Sequence, residues 1–146
     1  MIRRYKKEDS SVLYEIFKDA ILDSTGDEYS LKERQAWSSL PFERFLEILS
    51  REEVYVYEDG AILGFMTLDV DYLDLLYVRS DHQRKGIARA LVAMLPKDKK
   101  IIVHSSMTAL PFFLEMGFVM IKESYALRDE ERLSYFEMVK DEEGHR

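Results

Sequence analysis

Tyr72-Leu73-Asp74-Leu75-Leu76-Tyr77-Val78, then Arg79-Ser80-Asp81-His82-Gln83-Arg84-Lys85, then Gly86-Ile87-Ala88-Arg89-Ala90-Leu91-Val92-Ala93-Met94-Leu95: the reading of this run decides the fold. Its first seven residues are apolar and rich in aromatics and end in a polar turn, the pattern of a buried strand. In the last ten, Ile87, Leu91, Val92 and Leu95 recur at helical spacing, and Pro96 stops the helix. Between them lies a basic loop whose one glycine, Gly86, falls where the helix begins. A helix N-terminus presents unpaired N–H groups and about half a positive charge, which suits a phosphate or pyrophosphate. Gly86 lets such a group reach the backbone, because no Cβ stands in the way. Arg84 and Lys85 add positive charge at the same point. An ordinary strand–turn–helix joint with solvated basic residues has the same appearance, so the loop alone is a weak motif.

The chain around this run has 146 residues, enough for one domain with a real core. A 47% hydrophobic and 34% charged composition is that of a soluble globular protein. With no cysteine, a disulfide framework, a thiolate metal site and an acyl-cysteine intermediate are all excluded, and a reducing cytoplasm is the expected compartment. No apolar run reaches the length of a membrane span, and the charged start through Asp9 does not read as a signal peptide. A net charge of -7 argues against a general nucleic-acid binder and favours cationic partners such as amines.

Taken in order, Ile2-Arg3-Arg4-Tyr5 predicts an opening strand. Asp9 or Ser10 can cap a helix whose stripe is Val12, Leu13, Ile16, Phe17, Ala20 and Ile21. A polar gap from Asp23 to Glu28 follows. Ser30-Leu31-Lys32-Glu33 has the form of a capping box, so a second helix starts there and carries Trp37. Pro41 suits the first position of a third helix with Phe42, Phe45, Leu46 and Leu49 on one face. Val54 to Tyr57 and Ala61 to Leu68 predict a hairpin turning at Glu58-Asp59-Gly60. Ile101 to His104 reads as a buried strand, Ser105-Ser106 as the cap of a short helix through Phe113, and Gly117 as its end. Two last strands, Phe118 to Ile121 and Leu133 to Val139, are joined by a charged connection, and residues 141–146 are expected to be a frayed tail after a single domain of residues 1–140.

There is no Gly-x-x-x-x-Gly-Lys-Ser/Thr and no Gly-x-Gly-x-x-Gly, so nucleotide and dinucleotide loops are unsupported. Gln83-Arg84-Lys85-Gly86-Ile87-Ala88 instead resembles the Gln/Arg-x-x-Gly-x-Gly/Ala loop of the GNAT family, the acetyl-CoA-dependent N-acetyltransferases. Ser106-Met107-Thr108-Ala109-Leu110-Pro111-Phe112-Phe113-Leu114-Glu115-Met116-Gly117-Phe118 is similar to that family's Ser-x-x-Ala-x-x-Phe-Tyr-x-x-x-Gly-Phe segment. Tyr29, Gln35 and Ala36-Trp37 resemble a pattern of its small stand-alone bacterial branch, as does the closing run Leu133 to Lys140, less specifically. The resemblance implies the acyl-CoA N-acyltransferase fold, a mixed, mostly antiparallel sheet of α/β type with helices on both faces. It implies acetyl-CoA as co-substrate, no metal, and a small-molecule or peptide amine as acceptor. Oligomeric state stays open, a homodimer being one arrangement. His82, His104 and His145 show no metal-ligand spacing and read as loop, strand-end and tail residues.

The same resemblance implies roles. The backbone of residues 83–88 would take the pyrophosphate, and Leu76, Tyr77 and Val78 the pantetheine arm, with one N–H as oxyanion donor. Ser106 and the Pro111-Phe112-Phe113 run would line the cofactor channel. Tyr29, Trp37 and Tyr135 would wall the acceptor pocket. Asp74, sharing a strand face with Tyr72, is the candidate base: a carboxylate in an apolar strand is costly, and burial would raise its pKa toward neutrality. Asp74 facing a solvent-filled groove, or paired with an arginine, is the structural alternative. Phe113 stands where the family often has a tyrosine that protonates the departing thiolate, and a phenyl ring cannot donate a proton. Tyr125 and Tyr135 are possible replacements. A non-catalytic acyl-CoA-binding module and a nucleotide-binding regulatory domain are the competing readings.

Overall fold

Gly60, at φ 76°, turns the hairpin of β2 (Glu53–Asp59) and β3 (Ala61–Asp69) around which the sheet is assembled. In the computed structural model, which describes residues 1–24 and 29–142, β1 (Ile2–Arg4) pairs outside β2. β4 (Tyr72–Val78) lies beside β3, and β5 (Ile101–Ser105), β7 (Glu131–Lys140) and β6 (Val119–Arg128) complete the sheet in that order. Every neighbouring pair is antiparallel except β4 and β5. β3 is buried along nearly its whole length, which explains its unbroken apolar run: both its faces are covered.

Helices cover the two faces with separate cores. On one face α1 (Ser10–Ser24) and α3 (Phe42–Arg51) set Leu13, Ile16, Phe17, Phe45 and Leu49 against Val54, Val56 and Phe65. On the other, α4 (Ile87–Val92) and α5 (Leu110–Glu115) set Ile87, Leu91 and Phe113 against Met66, Leu73, Val103 and Met138. The short α2 (Leu31–Trp37) begins with the expected capping box. Ser30 Oγ accepts the Glu33 N–H at 3.1 Å, and the Glu33 carboxylate accepts the Ser30 N–H at 2.8 Å.

Several local expectations are corrected. Asp9 does not cap α1: its carboxylate accepts the Lys6 N–H and pairs with the two terminal guanidinium nitrogens of Arg3, which hold its pKa below the usual carboxylate range. A 3-10 turn at Lys7–Asp9 then leads into α1, whose first residue is Ser10. Asp23 and Ser24 belong to α1 rather than to a gap; residues 25–28 lie outside the described residues. Pro41 immediately precedes α3 instead of opening it. α4 ends at Val92, and tight turns carry the chain on to Leu95. Ser106 does not cap α5; its Oγ accepts the Ala109 N–H in the turn before that helix. The last two strands are ten residues each, and the charged connection is their hairpin, turning at Asp129 and Glu130 with φ of 47° and 66°. Gly117, at φ 97°, does end α5. The last strand closes at Lys140, and residues 143–146 lie outside the described residues.

Candidate active site

β4 carries a bulge at Asp74. Leu73 pairs with Leu68 and Leu75 with Thr67, so Asp74 is the extra residue with no partner of its own. The packing records it: Leu73 belongs to the α4–α5 core, whereas Leu75 and Tyr77 belong to the α1–α3 side. A bulge re-aims the side chain it carries, and Thr67 Oγ1 secures this one by accepting the Leu75 N–H at 3.1 Å.

At the same level β4 and β5 part. Tyr72 pairs with Ile102 and Leu73 with Val103, and no register pair follows. Two adjoining cavities occupy the opening. The smaller, about 90 Å³, is lined by Leu76, Ser106, Ala109 and Phe113, with Tyr29 and Arg34 from the α2 side. The larger, about 320 Å³, lies between Phe17, Leu40 and Ile48 on one flank and Arg128, Leu133 and Tyr135 on the other. Trp37, Asp74, Tyr77 and His104 line both, so Asp74 stands where the cavities meet.

Neighbouring groups hold these walls. Tyr29, almost fully buried, donates its hydroxyl to Ser134 O at 2.8 Å and accepts the Met107 N–H at 2.9 Å, tying α2 to β7 and to the segment after β5. Its ring packs on Trp37. Burial pushes the Tyr77 hydroxyl well above the usual phenol range, while a hydrogen bond from the Trp37 indole acts the other way. Tyr72 is raised too, first by burial and then by the negative charge of Asp74, so it remains a hydrogen-bond donor. His104 sits between two tyrosines, stacked on Tyr135 at 4.8 Å and edge-on to Tyr72 at 5.1 Å.

The basic loop is pinned at its start. Gln83 Nε2 donates to Val78 O at 2.8 Å, and Asp19 accepts both the N–H and the hydroxyl of Ser80. Gln83 therefore fixes the loop. Arg84 and Gly86 take φ of 63° and 80°, and Arg84, Lys85 and Gly86 are exposed. A Cβ on Gly86 would meet nothing within 4 Å among the described residues. Ile87 is buried in the core and Ala88 packs against it, so only their backbone is available to a ligand. An exposed basic loop with open space above its glycine, next to the parted strands, fits a pyrophosphate-bearing co-substrate.

Among the other expected site residues, Ser106 and Phe113 line the smaller cavity, while Pro111 and Phe112 line neither. Val78 is buried in the core. Tyr125 also lies outside both cavities, with the Arg132 guanidinium 3.8 Å above its ring. Three side chains escaped sequence reasoning. Arg34 lines the smaller cavity and His104 both; the signal for His104 was its place at the end of β5, just before Ser105-Ser106. The third is Glu52. Its side chain is 1% exposed, and its pKa is pushed up to about 8 by burial and by contact with Asp74.

Comparison with known proteins gives the family and the fold. The Acetyltransferase (GNAT) domain family matches residues 27–141. The chain is 33% identical over 124 residues to the Escherichia coli (strain K12) protein named "Uncharacterized N-acetyltransferase YafP", covering 84% of this chain and 83% of that one. A GCN5-related N-acetyltransferase structure from Rhodopseudomonas palustris superposes with a TM-score of 0.92 at 28% identity, over 97% of this chain and 94% of that one. The PaiA N-acetyltransferase of Thermoplasma acidophilum, solved in complex with coenzyme A, shares the fold at a TM-score of 0.72 and 17% identity, over 97% and 98% of the two chains. The chain belongs to the GNAT family of acetyltransferases.

Proposed function

We propose that this chain transfers the acetyl group of acetyl-CoA to a primary amine by direct attack, with no covalent acyl-enzyme. The observation that carries the reading is the Asp74 bulge, which puts one carboxylate on the walls of both cavities at the opening between β4 and β5. Coenzyme A bound to the PaiA relative supports the co-substrate. Acetyl-CoA supplies the activated carbonyl; binding it falls to the backbone of residues 83–88 with Arg84 and Lys85, to the β4 edge from Leu76 to Val78, and to Ser106 and Phe113. Tyr29, Trp37 and Tyr135 wall the acceptor.

Asp74 takes a proton from the incoming ammonium, so that the free amine can attack. The C–N bond forms as the C–S bond breaks. The second amine proton and the thiolate balance as free thiol through solvent, because Phe113 has no proton to give. The hydroxyl of Tyr72, held protonated, hydrogen-bonds the reacting groups. A β4 backbone N–H facing the carbonyl oxygen would contribute about 3–4 kcal/mol to the transition state. Acidic net charge and the absence of cysteine favour an amine acceptor rather than nucleic acid, and a cytoplasmic setting.

A thiol-release screen across polyamines, aminoglycosides, amino acids, peptide N-termini and protein lysines tests the reading. One class should release CoA thiol in step with acetylated amine seen by mass spectrometry. CoA binding without release in any class would indicate the non-catalytic acyl-CoA module instead. ATP or NAD outcompeting CoA would indicate a nucleotide-binding domain.

A further inference from the structure

Glu52 follows the end of α3, its N–H bonded to Ile48 O at 3.0 Å, and stands just before β2. Its side chain is 1% exposed, and Oε1 has no hydrogen-bond partner among the described residues. A buried carboxylate is costly to ionise without a partner, so such a group is paired or keeps its proton. Pairing is poor. Arg51 reaches Oε2 only at 3.6 Å from a side chain that is 61% exposed, a contact of little worth.

The other groups facing Glu52 come from β3 and β4. Thr67 favours the charge on its carboxyl, and Asp69 opposes it. Since Thr67 Oγ1 already accepts the Leu75 N–H, its own proton is free for Glu52. From β4, Asp74 contacts the carboxyl directly and Tyr72 senses its charge. Two carboxyls in contact cannot both ionise cheaply, and with no donor aimed at Oε1 a hydrogen bond between them requires a retained proton.

We propose that Glu52 is the positioning residue of the base, sharing one proton with Asp74 across the β4 bulge so that the pair carries a single negative charge. The inference rests on the reading of Asp74 as the base. The pair then matches one ammonium. Asp74 accepts the ammonium proton, leaving the pair neutral with two protons, and one returns to solvent as product departs. Glu52 also ties the α3–β2 junction to the bulge, which keeps the Asp74 carboxylate from swinging out of the opening.

The test begins without any acceptor. Carboxyl carbons in ¹³C-labelled protein are followed by NMR from pH 4 to 9.5. One carboxyl should titrate near 8, as burial and Asp74 require of Glu52, and Glu52→Gln should abolish that transition. No carboxyl titrating above about pH 6 would overturn the proposal whatever the chain acetylates. The linked sign is fixed as well. A folded pKa above the unfolded one makes the native state hold the extra proton between them, so stability falls as pH rises through that window. Tm should therefore drop from pH 5.5 to 8.5 in the wild type and less steeply in Glu52→Gln.

The positioning role is read from rate, once an acceptor is in hand. Glu52→Gln, whose amide still donates, should exceed Glu52→Leu in kcat by about tenfold or more, with unchanged CoA affinity. Equal rates in the two variants would overturn it. A wild-type-like rate in Asp74→Asn would instead sink the base reading, while the NMR transition continued to report the pair.

Discussion

Phe113, 4% exposed and packed edge-on against Phe112 and Phe118, lines the smaller cavity without an atom that can give up a proton. The hydroxyls nearby are poor substitutes. Tyr125 is half exposed under Arg132 and lines neither cavity. Tyr135 lines only the larger cavity, and burial makes Tyr72 a weaker acid than a free phenol. A CoA thiol titrates near the cysteine value of about 8.5, so its thiolate leaves tolerably without help near neutrality. Phe113→Tyr should thus leave kcat similar or raise it modestly, and Tyr125→Phe and Tyr135→Phe should each keep most activity. A loss beyond about a hundredfold in either, with CoA affinity and folding intact, would name the missing acid.

Among the elements, the loop before α4 gives the sharpest prediction. Gly86 has a left-handed φ with open space where a Cβ would point, so a side chain there would occupy that space. Gly86→Val adds backbone strain; Gly86→Asn tolerates the conformation and isolates the effect of bulk. Both should weaken CoA binding about tenfold or more by calorimetry, and unchanged affinity in folded Gly86→Asn would show the loop misread. This element was legible because its signals are local: a strand, one glycine and a helical period. The β2–β3 hairpin and the Ser30 capping box were legible for the same reason. The β6–β7 hairpin was not, since its turn uses Asp129 and Glu130 at positive φ where glycine would have been the signal. Nor was the bulge at Asp74, which exists only relative to β3. Glu52 lies in Arg51-Glu52-Glu53, which reads as a solvated turn until Thr67 and Asp74 are brought beside it. His104 gained a site only when β5 was seen to part from β4.

In the molecule as a whole, two cores on opposite faces of one sheet hold the parted strands open. α1 and α3 brace one face, α4 and α5 the other, and α2 is fastened across the opening through the preceding Tyr29. The opening persists because each strand is anchored to a different neighbour, β4 to β3 and β5 to β7. The central claim is that thioester and amine meet at Asp74 in that gap. Thiol release by Asp74→Asn, compared with wild type on the best acceptor from the screen and with CoA affinity measured in parallel, tests it most directly. The rate should fall by roughly 10²–10⁴ while CoA affinity is kept. A near-normal rate with an unaltered pH profile would contradict the account and move the base to another group.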